Sequence, residues 1–225
     1  MLILGIDTAT KVCSVALTLD GRVLAEHNST DGIAHSRRLL PEIDGLLKTA
    51  QVAKEDIDMV AVSMGPGSFT GLRIGLATAE AIAYARKRFL HGVNTLEALA
   101  YNLRGEKKII SPLIDAQKGN FYQALYQWQG DELVCLEPVA IVNQGKLWER
   151  IGDRPAIVTG ECGALQNLPE HIELATEDLR SPLAKSLCAI AERNFDEEKD
   201  KNFFGLEPFY IRRSEAEELW EQRHR

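Results

Sequence analysis

No two cysteines of this chain stand at C-x-x-C spacing: Cys13, Cys135, Cys162 and Cys188 are scattered along it. That spacing disfavours a zinc site and a disulfide framework alike, and leaves four small core or near-surface residues. Long apolar runs are missing too, so nothing in the sequence reads as a membrane span. The opening stretch, Met1-Leu2-Ile3-Leu4-Gly5-Ile6-Asp7, lacks the basic start and the small-residue cleavage site of a secretory signal. The expectation is a cytoplasmic protein with no membrane partner. Nor is there an excess of basic charge. The net charge is −7, and short clusters (Arg37-Arg38, Arg86-Lys87-Arg88, Lys107-Lys108, Arg212-Arg213) alternate with acidic stretches such as Asp196-Glu197-Glu198. Counterion release supplies most of the affinity for nucleic acid, so this chain alone is a poor nucleic-acid binder. The usual catalytic signatures are absent: there is no H-E-x-x-H, no G-x-S-x-G and no Cys-centred motif. The histidines His27, His35, His91, His171 and His224 show no pair at ligand spacing, so no catalytic residue and no metal ligand is nominated.

What is present is a pattern of elements that occurs twice. Leu2 to Asp7 reads as a buried strand, and Val12 to Leu19, Asp20-Gly21 and Arg22 to Glu26 read as a hairpin, because Asp-Gly is a strong two-residue turn signal. From Ile33 to Ala50, the residues Leu39, Leu40, Ile43, Leu46, Leu47 and Ala50 recur at helical spacing, with Pro41 expected to kink this helix or mark its start. A strand from Met59 to Met64 and an alanine-rich helix ending near Arg88 complete a β-β-β-α-β-α unit. The order then recurs: Ile109 to Asp115, a turn at Lys118-Gly119-Asn120, Phe121 to Trp128, a turn at Gly130-Asp131, and Leu133 to Leu136. Ala156 to Gly163 echoes Val60 to Gly67, and Pro182 to Asn194 supplies a closing helix. The spacing therefore predicts an α/β fold built by duplication. The tail is expected to hold a short strand at Phe209-Tyr210-Ile211 and a charged helix from Ser214 to Arg223, with Ser214 and Glu217 forming a capping box.

The stretch Met64-Gly65-Pro66-Gly67-Ser68-Phe69-Thr70-Gly71-Leu72-Arg73-Ile74-Gly75 reads as strand, glycine turn and helix start. Such a start could hold an anion. Its spacing fits neither phosphate fingerprint: Thr70 stands where G-x-G-x-x-G needs glycine, and Leu72-Arg73 follows Gly71 where a P-loop needs Lys-Ser/Thr. Gly71, Gly75, Ala79 and Ala83 recur every fourth residue, so one helix face is almost bare backbone. A glycine inside a helix costs roughly 1 kcal/mol against alanine, which close approach by another element would offset. Two elements could make that approach: one from the same domain, or one from a partner.

Taken together, Gly5-Ile6-Asp7-Thr8-Ala9-Thr10, His35-Ser36-Arg37-Arg38-Leu39-Leu40-Pro41, Gly65 to Gly75, and Pro208-Phe209-Tyr210-Ile211-Arg212-Arg213 resemble the bacterial TsaB (YeaZ) family, a subunit of the machinery that makes threonylcarbamoyladenosine in tRNA. The resemblance implies the duplicated actin-like, Hsp70-like or sugar-kinase-like ATPase fold, with two RNase H-like lobes. Residues 1–105 would form the first lobe, joined by the C-terminal segment 200–225, and residues 106–199 a second, smaller one. It implies a non-catalytic partner that activates a TsaD-like enzyme, which modifies N6 of adenosine 37 in tRNAs reading codons that begin with A. A TsaE-like ATPase is a further expected partner. ATP and a divalent metal are expected on those partner subunits, a homodimer when the chain is alone, and tRNA only through the complex. The expected partner surface comprises His35, Leu39, Ile43 and Leu46 of the first helix with Gly71, Gly75, Ala79, Ile82 and Ala83 of the second. A vestigial nucleotide site is expected at Asp7, Thr8, Gly65, Gly67 and Asp115, since relatives of this fold place Mg-ATP-positioning carboxylates at such strand ends. The TsaD type holds its metal through two histidines four apart on the matching helix, whereas here His35 is followed by Leu39. Alternative functions are an ATP-dependent phosphotransferase of the sugar-kinase type and a glycoprotease-like peptidase.

Overall fold

A computed structural model describes residues 1–30, 35–163 and 165–209. The first sheet contains β1 (Leu2–Asp7), β2 (Cys13–Leu19), β3 (Arg22–Ser29), β4 (Met59–Ser63) and β5 (Phe89–Val93), in the order β3-β2-β1-β4-β5. The second contains β6 (Ile109–Gln117), β7 (Asn120–Gln129), β8 (Glu132–Asn143), β9 (Ala156–Gly160) and β10 (Ile172–Leu174), in the order β10-β9-β6-β7-β8. In each sheet three strands form an antiparallel meander, and the fourth lies parallel to the first, with Ile3 beside Met59 and Ile109 beside Ala156. One topology thus occurs twice, which is the duplicated α/β architecture expected from element order.

The helices are α1 (His35–Ala50), α2 (Phe69–Arg86), α3 (Thr95–Tyr101), α4 (Gln144–Ile151), α5 (Ala184–Arg193) and the single turn α6 (Glu197–Asp200). α1 and α2 cover one face of the first sheet: Leu39, Ile43, Leu46 and Leu47 meet Leu4, Ile6, Val15 and Val62 there. Pro41 lies inside α1 and does not mark its start, because buried Leu39 before it and Ile43 after it hold the helix on the sheet. α2 ends where Lys87 turns left-handed, with φ 52°, and returns its N–H to the carbonyls of Ala83 and Tyr84. β8 runs past the expected end at Leu136, through Pro138; it is an edge strand, where a missing N–H leaves no ladder bond unmade.

Helices do not respect a boundary at 105/106. α5, from the second half of the chain, packs on β1, β2, β4 and β5 of the first sheet, while α3, from the first half, packs on β6, β7 and β9 of the second. Between β9 and β10, where α2 has its counterpart position, no helix forms among the described residues. The expected strand at Phe209-Tyr210-Ile211 and helix from Ser214 to Arg223 lie outside the described residues, apart from Phe209 itself.

Candidate functional site

The glycine turn and α2 are positioned by the loop that follows β1. Thr8 donates its hydroxyl to the Gly71 carbonyl at 2.7 Å, and Ser68 donates its backbone N–H to the Ala9 carbonyl at 2.7 Å. A Cβ on Gly71 would stand 2.0 Å from the Thr8 carbonyl oxygen, and one on Gly75 2.4 Å from the Thr8 hydroxyl. The element that approaches the bare face of α2 is therefore the chain's own first lobe. Gly71, Gly75, Ala79 and Ala83 are all buried, and the expectation that they form a groove for a partner is corrected. Leu39, Ile43 and Leu46 are corrected for the same reason, being buried beneath α1 in the core. Ile82 is half-buried against that core. His35, also half-buried, lies with Nε2 2.9 Å from the Thr10 carbonyl, tying the start of α1 to the β1–β2 loop.

The surface that these two helices do present is their opposite side. Leu40 of α1 is 58% exposed and Tyr84 of α2 60%. Phe69, Arg73, Ala77, Ala81 and Ala85 are exposed as well, and the Arg73 guanidinium lies over the Phe69 ring at 3.9 Å. Beside them Arg73, Leu76, Ala77 and Glu80 line a depression of ≈ 370 Å³ whose far wall is Glu207 and Pro208. A sequence signal for this face existed in Ala77, Ala81 and Ala85, a second four-residue stripe on the same helix.

The residues expected to form a vestigial nucleotide site are brought together only in part. Asp7, Thr8, Gly65 and Gly67 cluster at the ends of β1 and β4, but Asp7 and Thr8 are fully buried. A Cβ on Gly65 would meet the Phe209 carbonyl oxygen at 2.9 Å, and one on Gly67 the Ala9 carbonyl oxygen at 2.5 Å. These glycines admit chain against chain, and Ser68 N–H, which a phosphate would need, is already bonded. Asp7 Oδ1 accepts from Ala9 N–H at 3.1 Å, while Oδ2 has no hydrogen-bond partner. Burial raises its carboxyl to about 7, and the Ala9 amide pulls the other way. Asp115, in the second lobe, is exposed; its N–H donates to Glu161 Oε2 at 2.8 Å and its Oδ1 accepts from Gln117 N–H at 2.7 Å. Burial also raises the Glu161 carboxyl.

Among the described residues no three histidine, cysteine, aspartate or glutamate side chains converge as a metal-ligand set. The four cysteines are free thiols; burial pushes Cys188 up to about 12, so it stays protonated at neutral pH. None of the described helices is long and apolar enough to cross a membrane.

Comparison with known proteins gives a consistent picture. Residues 25–220 match the family model described as TsaD: tRNA N6-adenosine threonylcarbamoyltransferase. The tRNA threonylcarbamoyladenosine biosynthesis protein TsaB of Bacillus subtilis (strain 168) is 32% identical over 224 residues, covering 98% of each chain. The protein of the same name from Escherichia coli (strain K12) is 34% identical, covering 96% of each. Among solved structures, YeaZ from Pseudomonas aeruginosa superposes with a TM-score of 0.81 at 27% identity, covering 93% of this chain and 99% of that one.

Proposed function

Because this chain belongs to the TsaB (YeaZ) family and works in the threonylcarbamoyladenosine modification of tRNA, we propose that it acts there as the non-catalytic partner of a TsaD-like enzyme. The TsaD-like subunit performs the transfer to N6 of adenosine 37 in tRNAs reading codons that begin with A, with a TsaE-like ATPase as a further partner. ATP and the divalent metal belong to those subunits, and tRNA reaches this chain only through the complex, in the cytoplasm.

The observation that carries the non-catalytic reading is the sealing of Asp7 and Thr8. A carboxylate that water cannot touch cannot position a magnesium nucleotide, and the loop that would cradle phosphate is clamped against Gly67 and Gly71. The same observation weakens the sugar-kinase alternative, and nothing among the described residues favours a peptidase. Docking falls to the outer face of α1 and α2, where Leu40, Phe69, Ala77, Ala81 and Tyr84 are exposed to solvent; without the partner, the same face would pair two copies as an isologous dimer. Ala81→Arg tests this placement, because Ala81 is exposed and its replacement leaves the core untouched. The variant should melt as the wild type does. Its affinity for the TsaD-like subunit of the same genome, by calorimetry, should fall at least ~100-fold, because a bulky charge in an interface adds desolvation to overpacking. Unchanged affinity would put docking elsewhere.

A further inference from the structure

The C-terminal part of the chain returns to the first lobe and runs beside the face just described. α6 sits on β5, the edge strand of the first sheet. Its last residue, Asp200, is 5% exposed, and His91 Nδ1 of β5 lies 3.0 and 3.1 Å from its two carboxylate oxygens. Asp200 Oδ2 also accepts from Asp196 N–H at 3.1 Å, and Asp196 Oδ1 caps the turn by accepting from Glu198 and Lys199 N–H. A buried polar pair is a weak source of net stability, because desolvation offsets the attraction. What such a pair does specify is position. Here it fixes where the following residues start.

Those residues keep pace with α2. The Phe203 and Phe204 rings lie 6.3 and 5.3 Å from the Tyr84 ring, Glu207 and Pro208 wall the depression beside Leu76 and Ala77, and Phe209 N–H donates to the Met64 carbonyl at 2.6 Å. Extended chain from Phe204 to Pro208 covers about 13 Å. The helix from Tyr84 back to Leu76 covers about 12 Å, so the segment runs antiparallel along it. Phe204 is 68% exposed and Tyr84 60%, although their rings touch each other. Two large aromatic side chains are held together and left uncovered, directly continuous with Ala77 and Ala81.

We propose that residues 200–209 form a strap that completes the docking face of α2, with the Phe204–Tyr84 pair as the contact taken up by the TsaD-like chain and His91–Asp200 as its positioning pair. This rests on the α1/α2 docking reading. Aromatic side chains at the centre of an interface carry a disproportionate share of its affinity, and Tyr84 belongs to helix and strap at once.

The test compares Phe204→Ala, Asp200→Ala and Ala81→Arg in the full chain, measuring affinity for the TsaD-like subunit of the same genome, thermal melting, and hydrogen exchange at the Phe209 amide. Phe204→Ala removes an exposed ring, so melting should hold while affinity drops at least ~10-fold, as for a hot-spot aromatic. Asp200→Ala should speed exchange at Phe209 and weaken binding by a similar factor. If Ala81→Arg blocks binding and Phe204→Ala binds as wild type or tighter, the strap inference is overturned while the docking reading stands. If Ala81→Arg binds normally, it is the docking reading that fails. Unchanged exchange at Phe209 in Asp200→Ala would overturn the positioning role.

Discussion

At Asp7, burial and charge oppose each other, and the conflict is measurable. Its carboxyl is raised from its ordinary value of 3.8 to about 7, mainly because it is buried away from water. Between those two values the folded chain keeps a proton that the unfolded chain has lost. Stability contributed by the neutral acid is thus complete below pH 3.8 and is lost as pH rises through about 7. The shift corresponds to at most about 4 kcal/mol. Asp7→Asn keeps an acceptor for Ala9 N–H but cannot ionise, so it should gain on the wild type between pH 5 and pH 8 in urea unfolding. A difference between the two that does not change with pH would mean that the carboxylate is already ionised in the fold. The position of Asp7 at a strand end was legible from Leu2 to Asp7. Its burial was not, because the packing of the loop that follows it depends on contacts of Gly67 with Ala9 and of Gly71 with Thr8, which are distant in sequence and which no local pattern encodes.

At the level of the element, α2 carries two stripes of small residues, and periodicity alone does not say which one faces the sheet. Gly71, Gly75, Ala79 and Ala83 face it; Ala77, Ala81 and Ala85 face out. The distinction lies in what each position meets. Gly71→Ala puts a Cβ 2.0 Å from a backbone oxygen, which cannot swing aside as a side chain would. Its cost should reach at least ~3 kcal/mol, the upper end of typical overpacking penalties. Gly45 in α1 is the control, since a Cβ there meets nothing within 4 Å. Gly45→Ala should stabilise by about 1 kcal/mol through helix propensity. Opposite signs in chemical denaturation are expected, and a harmless Gly71→Ala would show that the Thr8 loop moves aside. Other elements escaped the sequence for identifiable reasons. β5 is a five-residue run interrupted by Gly92, and α3 is a short helix whose main signal is its cap, Asn94, which accepts from Leu96 and Glu97 N–H. Long amphipathic α1 and the Asp20-Gly21 hairpin were plain, because their patterns are local.

On the scale of the whole molecule, the two lobes resemble each other in topology but do not own their helices. α5 fills one face of the first sheet, where Leu187, Cys188, Ile190 and Ala191 meet Ile3, Met59, Ala61 and Val93. α3 does the converse, placing Leu96, Leu99 and Ala100 against Ile110, Ile114 and Tyr126. The contact at Gly5 is tight: a Cβ there would lie 2.4 Å from the Ala184 carbonyl oxygen. Asn102, at the end of α3, binds the crossing by donating to the Ser181 carbonyl at 2.8 Å and accepting from the Ser186 hydroxyl at 2.8 Å. Each lobe therefore completes its core with a helix from the other half of the chain. Two consequences follow from that exchange. The chain should unfold as one cooperative unit, so that in a Trp220→Phe background the fluorescence of Trp128 and Trp148 in the second lobe and far-ultraviolet circular dichroism from both lobes give coincident urea transitions. Residues 1–105 produced alone would lack α5 and leave Ile3, Met59, Ala61 and Val93 exposed, so they should show no cooperative transition until residues 106–225 are added. Separate transitions, or a fragment 1–105 that folds alone, would mean that the first sheet is stable with one face bare.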